Sequence, residues 1–478
     1  MTALKDISDA QQVSFGTSGV RALVTDLSHE ICYQYAHAFI ESVVPDSDRV
    51  AVGIDLRPSS KQIALSMIQA IEDSGRKVIY CGEIPTPALA FYGLQKGIPS
   101  IMITGSHIPF DRNGFKFYTA SGEITKQDEV AILSYEVAAS KDLVASALLQ
   151  ESADAKSLWI ERYMSFFPEG ALSNQRIGLY EHSSAARDLL KLIFTQLGAE
   201  VISLDRTDYF VPIDTEAVSE DDQKKAYSWS NEHQLDAIVS TDGDGDRPLL
   251  ADESGQWLRG DLLGILVSQL IKATHVACPV NVNTALESSS AIETLRTKIG
   301  SPYVIEAMGT LAQDKSANVV GFEANGGFLV GNTLNIEGKQ LDALPTRDSF
   351  LPILMMLVIA AQSKSSISEL VSRLPERYTA SDRIKDIPTV LSQSLIDSLK
   401  SSEESLEVLL LAATGNKCGV ADMNEIDGLR LTLSTGDIIH LRPSGNAPEL
   451  RCYAESSSYN SAKLLVSKVL HFVQTMPR

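Results

Sequence analysis

RVAVGIDLRPSSKQIALSMIQAIEDSGRKVIYCG, residues 49–82, opens with a β-branched apolar run and passes through a Ser-rich loop suited to capping a helix. Apolar residues then recur at i, i+3 and i+4 spacing, and a glycine precedes a second strand. Two more stretches follow the same plan: RIGLYEHSSAARDLLKLIFTQLGAEVISL (176–204) and HVACPVNVNTALESSSAIETLRTKIGSPYVIEAMG (275–309). A strand–helix–strand unit pairs its strands in parallel and lays its helix on a sheet face. Three copies predict three α/β domains of related build.

After about residue 372 the pattern changes. LPERYTASDRIKD leads into a helical stretch, SQSLIDSLKSSEESLEVLLL; alternating segments follow at GLRLTL and DIIHLRP, and a terminal helix near SAKLLVSKVLHFVQ. This reads as a smaller α+β domain. Ser-rich or charged stretches near 150–156 and 362–372 suit linkers, and Gly260 is a softer cut. The expected domains are therefore 1–153, 154–260, 261–372 and 373–478.

The 478 residues carry a formal charge of −20. That balance argues against a nucleic-acid partner, which needs a basic face, and an anionic substrate would need a locally basic pocket. The five cysteines are scattered without a CxxC, which fits a reducing cytoplasm better than a disulfide or zinc framework. The start MTALKDISDAQQ has no signal-peptide pattern. The longest apolar run, FLPILMMLVIAA (350–361), is too short to span a bilayer and contains Pro352, so a buried helix is expected and no membrane partner.

TDGDGDRPLL (241–250) places Asp242, Asp244 and Asp246 at alternate positions. LDAIVS before it and PLLADE after it read as strands, so the aspartates lie on the connecting loop. The glycines let that loop curl until three carboxylates converge. Like charges at one point need a hard cation, Mg²⁺ or Ca²⁺. An EF-hand fails because Arg247 stands where the turn requires glycine and the flanks are strands. A plain acidic turn, partly neutralised by Arg247, is the bland alternative.

IMITGSHIPFDRNGFKFY (101–118) runs an apolar strand into Gly105-Ser106-His107. Ser106 is expected to be exposed at the strand's carboxyl end, where open α/β sheets bind ligands. No GxSxG elbow is present, so a phosphoryl group suits this serine better than an acyl group. HLRPSGNAPELRCYAES (440–456) sets Ser444, Gly445 and Asn446 in a turn between Arg442 and Arg451, a pattern suited to a phosphate. SFGTSGVR (14–21) puts Arg21 after a flexible loop. GFEANGGFLVG (321–331) puts Glu323 and Asn325 in a glycine-rich turn able to meet vicinal hydroxyls. A helix-capping serine, surface salt bridges and an ordinary hairpin are the respective bland readings.

Together FGTSGVR, TGSHIPFDRNGFKF, DGDGDR, FEANGG and RPSGNAPELR resemble the α-D-phosphohexomutase family over essentially the full chain. The resemblance implies four domains around a central cleft, three of them α/β. Ser106 is similar to the phosphorylated serine, and Asp242, Asp244 and Asp246 to the Mg²⁺ ligands that a phosphoserine oxygen joins. Arg247, Arg21, His107 and Lys116 resemble basic residues around the reacting phosphate. Glu323 and Asn325 match sugar contacts, and Gly309 is placed in the same substrate-binding set. Arg442, Ser444, Gly445, Asn446 and Arg451 match the loop holding the non-reacting phosphate.

Three departures stand out. Ile108 replaces an asparagine usual in the serine loop, Asn325 and Gly327 replace the usual serine and histidine, and Asn446 and Ala447 replace threonine and glutamate. The implied activity is interconversion of hexose 1- and 6-phosphates through Ser106 and a hexose 1,6-bisphosphate. Mannose is the first expectation for the sugar, with glucose or glucosamine as alternatives. His107 and Lys116 are the candidate bases, Lys116 only if neighbouring cations lower its pKa. A Mg²⁺-dependent sugar phosphatase and a non-catalytic sensor are the competing classes. A monomer or homodimer is expected.

Overall fold

The three repeated stretches each build a sheet with one shared four-strand pattern. In the first, Lys77–Glu83, Arg49–Ile54 and Ser100–Ile103 pair in parallel, and Arg112–Thr119 adds an antiparallel fourth strand. In the second, Glu200–Arg206, Arg176–His182 and Ala237–Thr241 are parallel and Pro248–Ala251 is antiparallel. In the third, Glu293–Thr297, His275–Pro279 and Val319–Phe322 are parallel and Phe328–Val330 is antiparallel. The computed structural model describes residues 2–16, 18–137, 142, 147–445 and 448–475.

This repetition decides where the candidate functional residues fall. The turn between the third and fourth strands of the pattern holds Ser106 in the first sheet, the aspartate triplet in the second and Glu323 in the third. Three sequence-distant loops therefore occupy one topological position.

Crossover helices Ser60–Asp73 and Thr86–Lys96 serve the first sheet, and Arg187–Gln196 and Glu220–His233 the second. The third departs from the sequence expectation. Where an amphipathic helix is expected after Asn283, only a 3₁₀ turn at Thr284–Ser288 forms, and Glu293–Thr297 is a strand. The segment expected as a strand, from Ser301, is the helix Ser301–Leu311. Pro302 suits a first helical turn, and Arg296 is tied down by Glu287 and the carbonyls of Pro279 and Val282.

The fourth sheet is antiparallel, in the order Tyr378–Ile384, Leu450–Ser456, Ile438–Pro443, Leu429–Leu433, Val420–Asn424. Its first strand arises from the stretch read only as a lead into a helix, and that helix is two, Thr389–Ser401 and Glu403–Thr414. Strand side chains alternate between faces. Leu450, Cys452 and Ala454 join a core with the helices, while Arg451, Tyr453 and Glu455 stand on the other face.

One continuous apolar core runs through all three α/β sheets, whereas the fourth sheet has a core of its own. Phe350–Ser363 is the expected buried helix, with Pro352 in its first turn. Helix Asp154–Phe166 ties the sheets together: Trp159 and Tyr163 pack on Phe350, and Tyr163 donates to Asp348 at 2.6 Å. Among the described residues no helix is long and apolar enough to cross a membrane.

Candidate functional site

The strand Ser100–Ile103 ends in Thr104 and Gly105, and the chain then turns at Ser106 with φ 51°. That left-handed backbone is costly for a serine and needs outside support. Thr104 Oγ1 accepts from Ser106 N at 2.7 Å. Arg57, fully buried, donates to the carbonyls of Ser106 (2.9 Å), Ile108, Pro109 (2.8 Å) and Arg112 (2.8 Å). Phe210 covers the guanidinium at 3.9 Å. Sequence reasoning missed Arg57, although it sits in the opening stretch of the repeat.

Ser106 is only 2 % exposed, not open to solvent as expected. The reason is its neighbour across the cleft: Ser106 Oγ donates to Asp242 Oδ2 at 2.6 Å. Two loops 136 residues apart meet at hydrogen-bond distance. His107 Nδ1 lies 3.3 Å from the same hydroxyl.

The triplet converges as its spacing suggested. One oxygen from each of Asp242, Asp244 and Asp246 falls within 4.8 Å of the others, and all three residues are buried. Gly245, at φ 71°, supplies the left-handed turn that the curl requires. Asp242 Oδ1 accepts from the backbone N–H groups of Asp246 (3.2 Å) and Arg247 (3.1 Å), closing the loop on itself. Thr86 Oγ1 and Lys116 Nζ hold Asp244 Oδ2 at 2.6 and 2.7 Å, and Lys116 also reaches Asp246 Oδ2 at 2.7 Å. Asp244 Oδ1 and Asp246 Oδ1 are buried with no hydrogen-bond donor among the described residues. Unmatched oxygens of one charge at one point fit a hard divalent cation.

The electrostatics follow from this crowding. Burial, then Asp244 and Asp246, push the Asp242 carboxyl well above the usual range. Burial acts to lower Lys116, but Asp244 and Asp246 outweigh it and hold the ammonium protonated. The condition under which Lys116 could act as a base is not met, because its nearest neighbours are anions. His107 is held well below 6.5 by Arg247, by burial and by Arg21. Burial, with Arg247 and Arg347, brings Arg21 down to about 10. Arg21, Lys116, Arg247 and Arg347 thus gather as a local basic cluster in an acidic chain.

Arg347 is the second residue that sequence reasoning missed. It lies on Leu344–Asp348 and links the other two loops: Nε donates to Glu323 Oε2, and Nη1 to Asp246 Oδ2 at 3.4 Å. Glu323 and Asn325 are buried at the tip of the third-sheet turn. Asn325 Oδ1 accepts from Gly327 N at 2.9 Å, and its carbonyl accepts from Thr215 Oγ1 at 3.0 Å, so its acceptors shape the loop. Gly309 departs from expectation. It lies exposed in helix Ser301–Leu311, and a Cβ added there would meet nothing within 4 Å, because the segment read as a strand edge is helical.

On the fourth sheet Arg442 and Arg451 are directly opposite partners, and Arg383 pairs with Arg451 on its other side. Opposite residues share a face, so three guanidinium groups line up across adjacent strands. Arg442 Nε is held by Asp427 Oδ2 at 2.7 Å. Arg451 and Arg383 each approach Glu449 at 3.7 Å. Ser444 is buried, its N–H donating to Glu449 O at 2.8 Å, and a Cβ on Gly445 would meet nothing within 4 Å. Asn446 lies outside the described residues. Glu216, also missed, stands between the two halves: burial raises its carboxyl, Arg247 pulls it back, and it lies in the field of Arg451 and Tyr453.

Family models described as phosphoglucomutase/phosphomannomutase match residues 12–141 (α/β/α domain I), 260–378 (α/β/α domain III) and 381–471 (C-terminal domain). A phosphomannomutase of Salmonella muenchen is 48 % identical, covering 98 % of this chain and 97 % of the relative. A phosphomannomutase of Sinorhizobium fredii is 43 % identical, covering 95 % and 98 %. The fold is similar to the crystal structure of a putative phosphomannomutase from Thermus thermophilus, at TM-score 0.77 and 19 % identity, covering 97 % and 99 % of the two chains.

Proposed function

The chain belongs to the phosphoglucomutase/phosphomannomutase family, and on that footing we propose that it interconverts hexose 1-phosphate and hexose 6-phosphate, with mannose as the sugar. The observation that carries this reading is the 2.6 Å contact between Ser106 Oγ and Asp242 Oδ2 inside the buried triplet. A nucleophile-bearing loop and a cation-binding loop from different sheets meet there, as phosphoryl transfer requires. The 48 % and 43 % identical phosphomannomutases support mannose over glucose.

In the proposed cycle Ser106 carries a phosphoryl group. The bond from phosphorus to Ser106 Oγ breaks as a bond forms to the free hydroxyl of the hexose phosphate. That hydroxyl's proton passes to His107, whose Nδ1 lies 3.3 Å from Ser106 Oγ. The product is a hexose 1,6-bisphosphate; it turns over in the cleft and returns its other phosphate to Ser106. Lys116, kept protonated, and Arg247 and Arg21 spread the developing charge over fixed cations. Mg²⁺ held by Asp242, Asp244, Asp246 and the phosphorylated Ser106 would withdraw charge from the group in flight. Glu323 and Asn325 face the sugar. Arg442, Ser444, Gly445, Asn446 and Arg451 grip whichever phosphate is not reacting, so that binding positions the other end.

In this reading residues 1–153, 154–260, 261–372 and 373–478 are four domains, each lending one loop to the cleft. All five cysteines are free, which supports a reducing compartment. The test is Ser106→Ala: turnover of mannose 1-phosphate should fall by about four orders of magnitude or more with the melting temperature unchanged. Intact-mass measurement should find one added phosphate on the wild type and none on the variant. Near-wild-type turnover in Ser106→Ala, or release of inorganic phosphate without any need for bisphosphate, would sink the proposal.

A further inference from the structure

The sugar-facing turn 323–327 ends in a glycine, and the space beside that glycine is filled from a different strand. A Cβ on Gly327 would stand 2.6 Å from Cδ and 2.8 Å from Cγ of Arg347, distances real Cβ atoms do not adopt. The backbone there allows any residue, since Gly327 is absent from the positive-φ positions. Glycine at 327 is therefore explained by the arginine stem and not by turn geometry.

Arg347 is 4 % exposed and its three nitrogens divide their work. Nε is bound to Glu323 Oε2 and Nη1 to Asp246 Oδ2. No hydrogen bond joins Nη2 or Glu323 Oε1 to another described residue, and neither atom is a buried orphan, so both are open to the cleft. A buried guanidinium needs partners for its donors. An ion pair that served stability alone would satisfy the whole fork. Here one donor and one acceptor of the same ion pair stay open, fixed by the planar guanidinium and its bond to the carboxylate.

We propose that Arg347 is a sugar-recognition residue: it takes the place that a side chain at 327 would occupy and offers Nη2 to a hexose hydroxyl beside Glu323. This rests on the phosphohexomutase reading above. An open donor next to an open acceptor matches two neighbouring hydroxyls, one accepting and one donating. An epimer with one hydroxyl turned away would leave a buried charged group unpaired, which a site of this kind penalises strongly. Gly327 and Arg347 then form one unit, so neither is replaceable alone.

The test is steady-state kinetics with mannose 1-phosphate and glucose 1-phosphate, with the matching 1,6-bisphosphate present. Wild type, Arg347→Ala, Arg347→Lys, Gly327→Ala and the Gly327→Ala/Arg347→Ala double variant are compared. Arg347→Ala should lower kcat/KM for the preferred sugar by about 10- to 100-fold and change the ratio between the two sugars by about fivefold or more. Gly327→Ala should cost about tenfold alone but less than about twofold in the Arg347→Ala background. Equal losses for both sugars would mark Arg347 as merely structural and overturn the proposal, as would Gly327→Ala costing the same in both backgrounds. Should Arg347→Ala fail to fold, Arg347→Lys keeps the charge and loses the fork, and an unchanged sugar ratio in it is the overturning result. A wild type inactive on every hexose 1-phosphate would instead sink the parent reading, independently of these variants.

Discussion

The turns at 242–247 and 323–327 occupy the same position in two sheets of one topology, yet they do opposite things with charge. The first winds its own backbone around three carboxylates, is approached by its own Arg247, and takes its hydrogen-bonded cation from outside, Lys116 of the first sheet. The second carries one carboxylate, Glu323, and is neutralised from inside its own sheet by Arg347. Arg347 then reaches across to Asp246 and couples the two turns. The lesson is that the repeated scaffold decides where a loop arrives, and the residues on neighbouring strands decide which chemistry it can hold.

That division of labour can be broken experimentally. The largest effect should come from Asp244→Asn, which leaves the loop shape but removes one of the three converging charges: turnover should fall about 1,000-fold and Mg²⁺ titration should show weaker binding. Glu323→Gln, at the matching position of the other sheet, should cost only about 10- to 100-fold and leave the Mg²⁺ titration unmoved. Equal losses with equal effects on Mg²⁺ would erase the contrast.

Lys116→Met sharpens it. Without that cation Asp244 and Asp246 face each other buried, so the metal-free protein should lose about 3–5 kcal/mol. Melting with added Mg²⁺ should recover much of the loss; no recovery would mean that the triplet does not bind the ion.

A smaller effect comes from pH. His182 donates from Nε2 to Thr241 O at the entrance of the aspartate turn, and His440 does the same to Asp427 O in the fourth sheet. Burial brings both down to about 4. Above pH 6.5 both are neutral whether folded or not. Below it the unfolded chain takes up protons that the folded one refuses, so stability falls as pH drops toward 4. By about pH 5 each should cost about 2 kcal/mol, and denaturant melts of His440→Asn should show a shallower pH slope. The smallest is Arg442→Ala, where KM for the sugar phosphate should rise about tenfold while the Mg²⁺ midpoint stays put. A shift in both would deny the fourth sheet a separate role.

Much of this architecture was legible because its signals are local. Strand–helix periodicity exposed the three related units, and alternate aspartates with glycines between them marked a curling loop. The third unit misled because SSSAIETLRT carries a helix-like apolar spacing, while the anchoring of Arg296 by distant carbonyls makes it a strand. The missed residues share one property. Arg57, Arg347, Arg383 and Glu216 gain their meaning from partners on other strands or other sheets, and nothing in their own neighbourhoods announces it. Lys116 was found, but its charge state stayed open for the same reason: its partners lie 128 and 130 positions away. The joint occurrence of the five loop signatures carried the reading where single motifs were weak.

The separate core of the fourth sheet has a mechanical consequence. Polar ties cross its seam with the third sheet: Glu455 Oε2 accepts from Thr284 N at 3.0 Å, Asp427 Oδ2 from Ile299 N at 2.9 Å, and Arg377 O from Asn283 Nδ2 at 2.8 Å. Contacts of this kind exchange with water at little net loss, unlike the greasy weld among the other three sheets. The fourth sheet is therefore joined to its neighbours by ties that are cheaper to break than the shared apolar core that binds the other three sheets to one another.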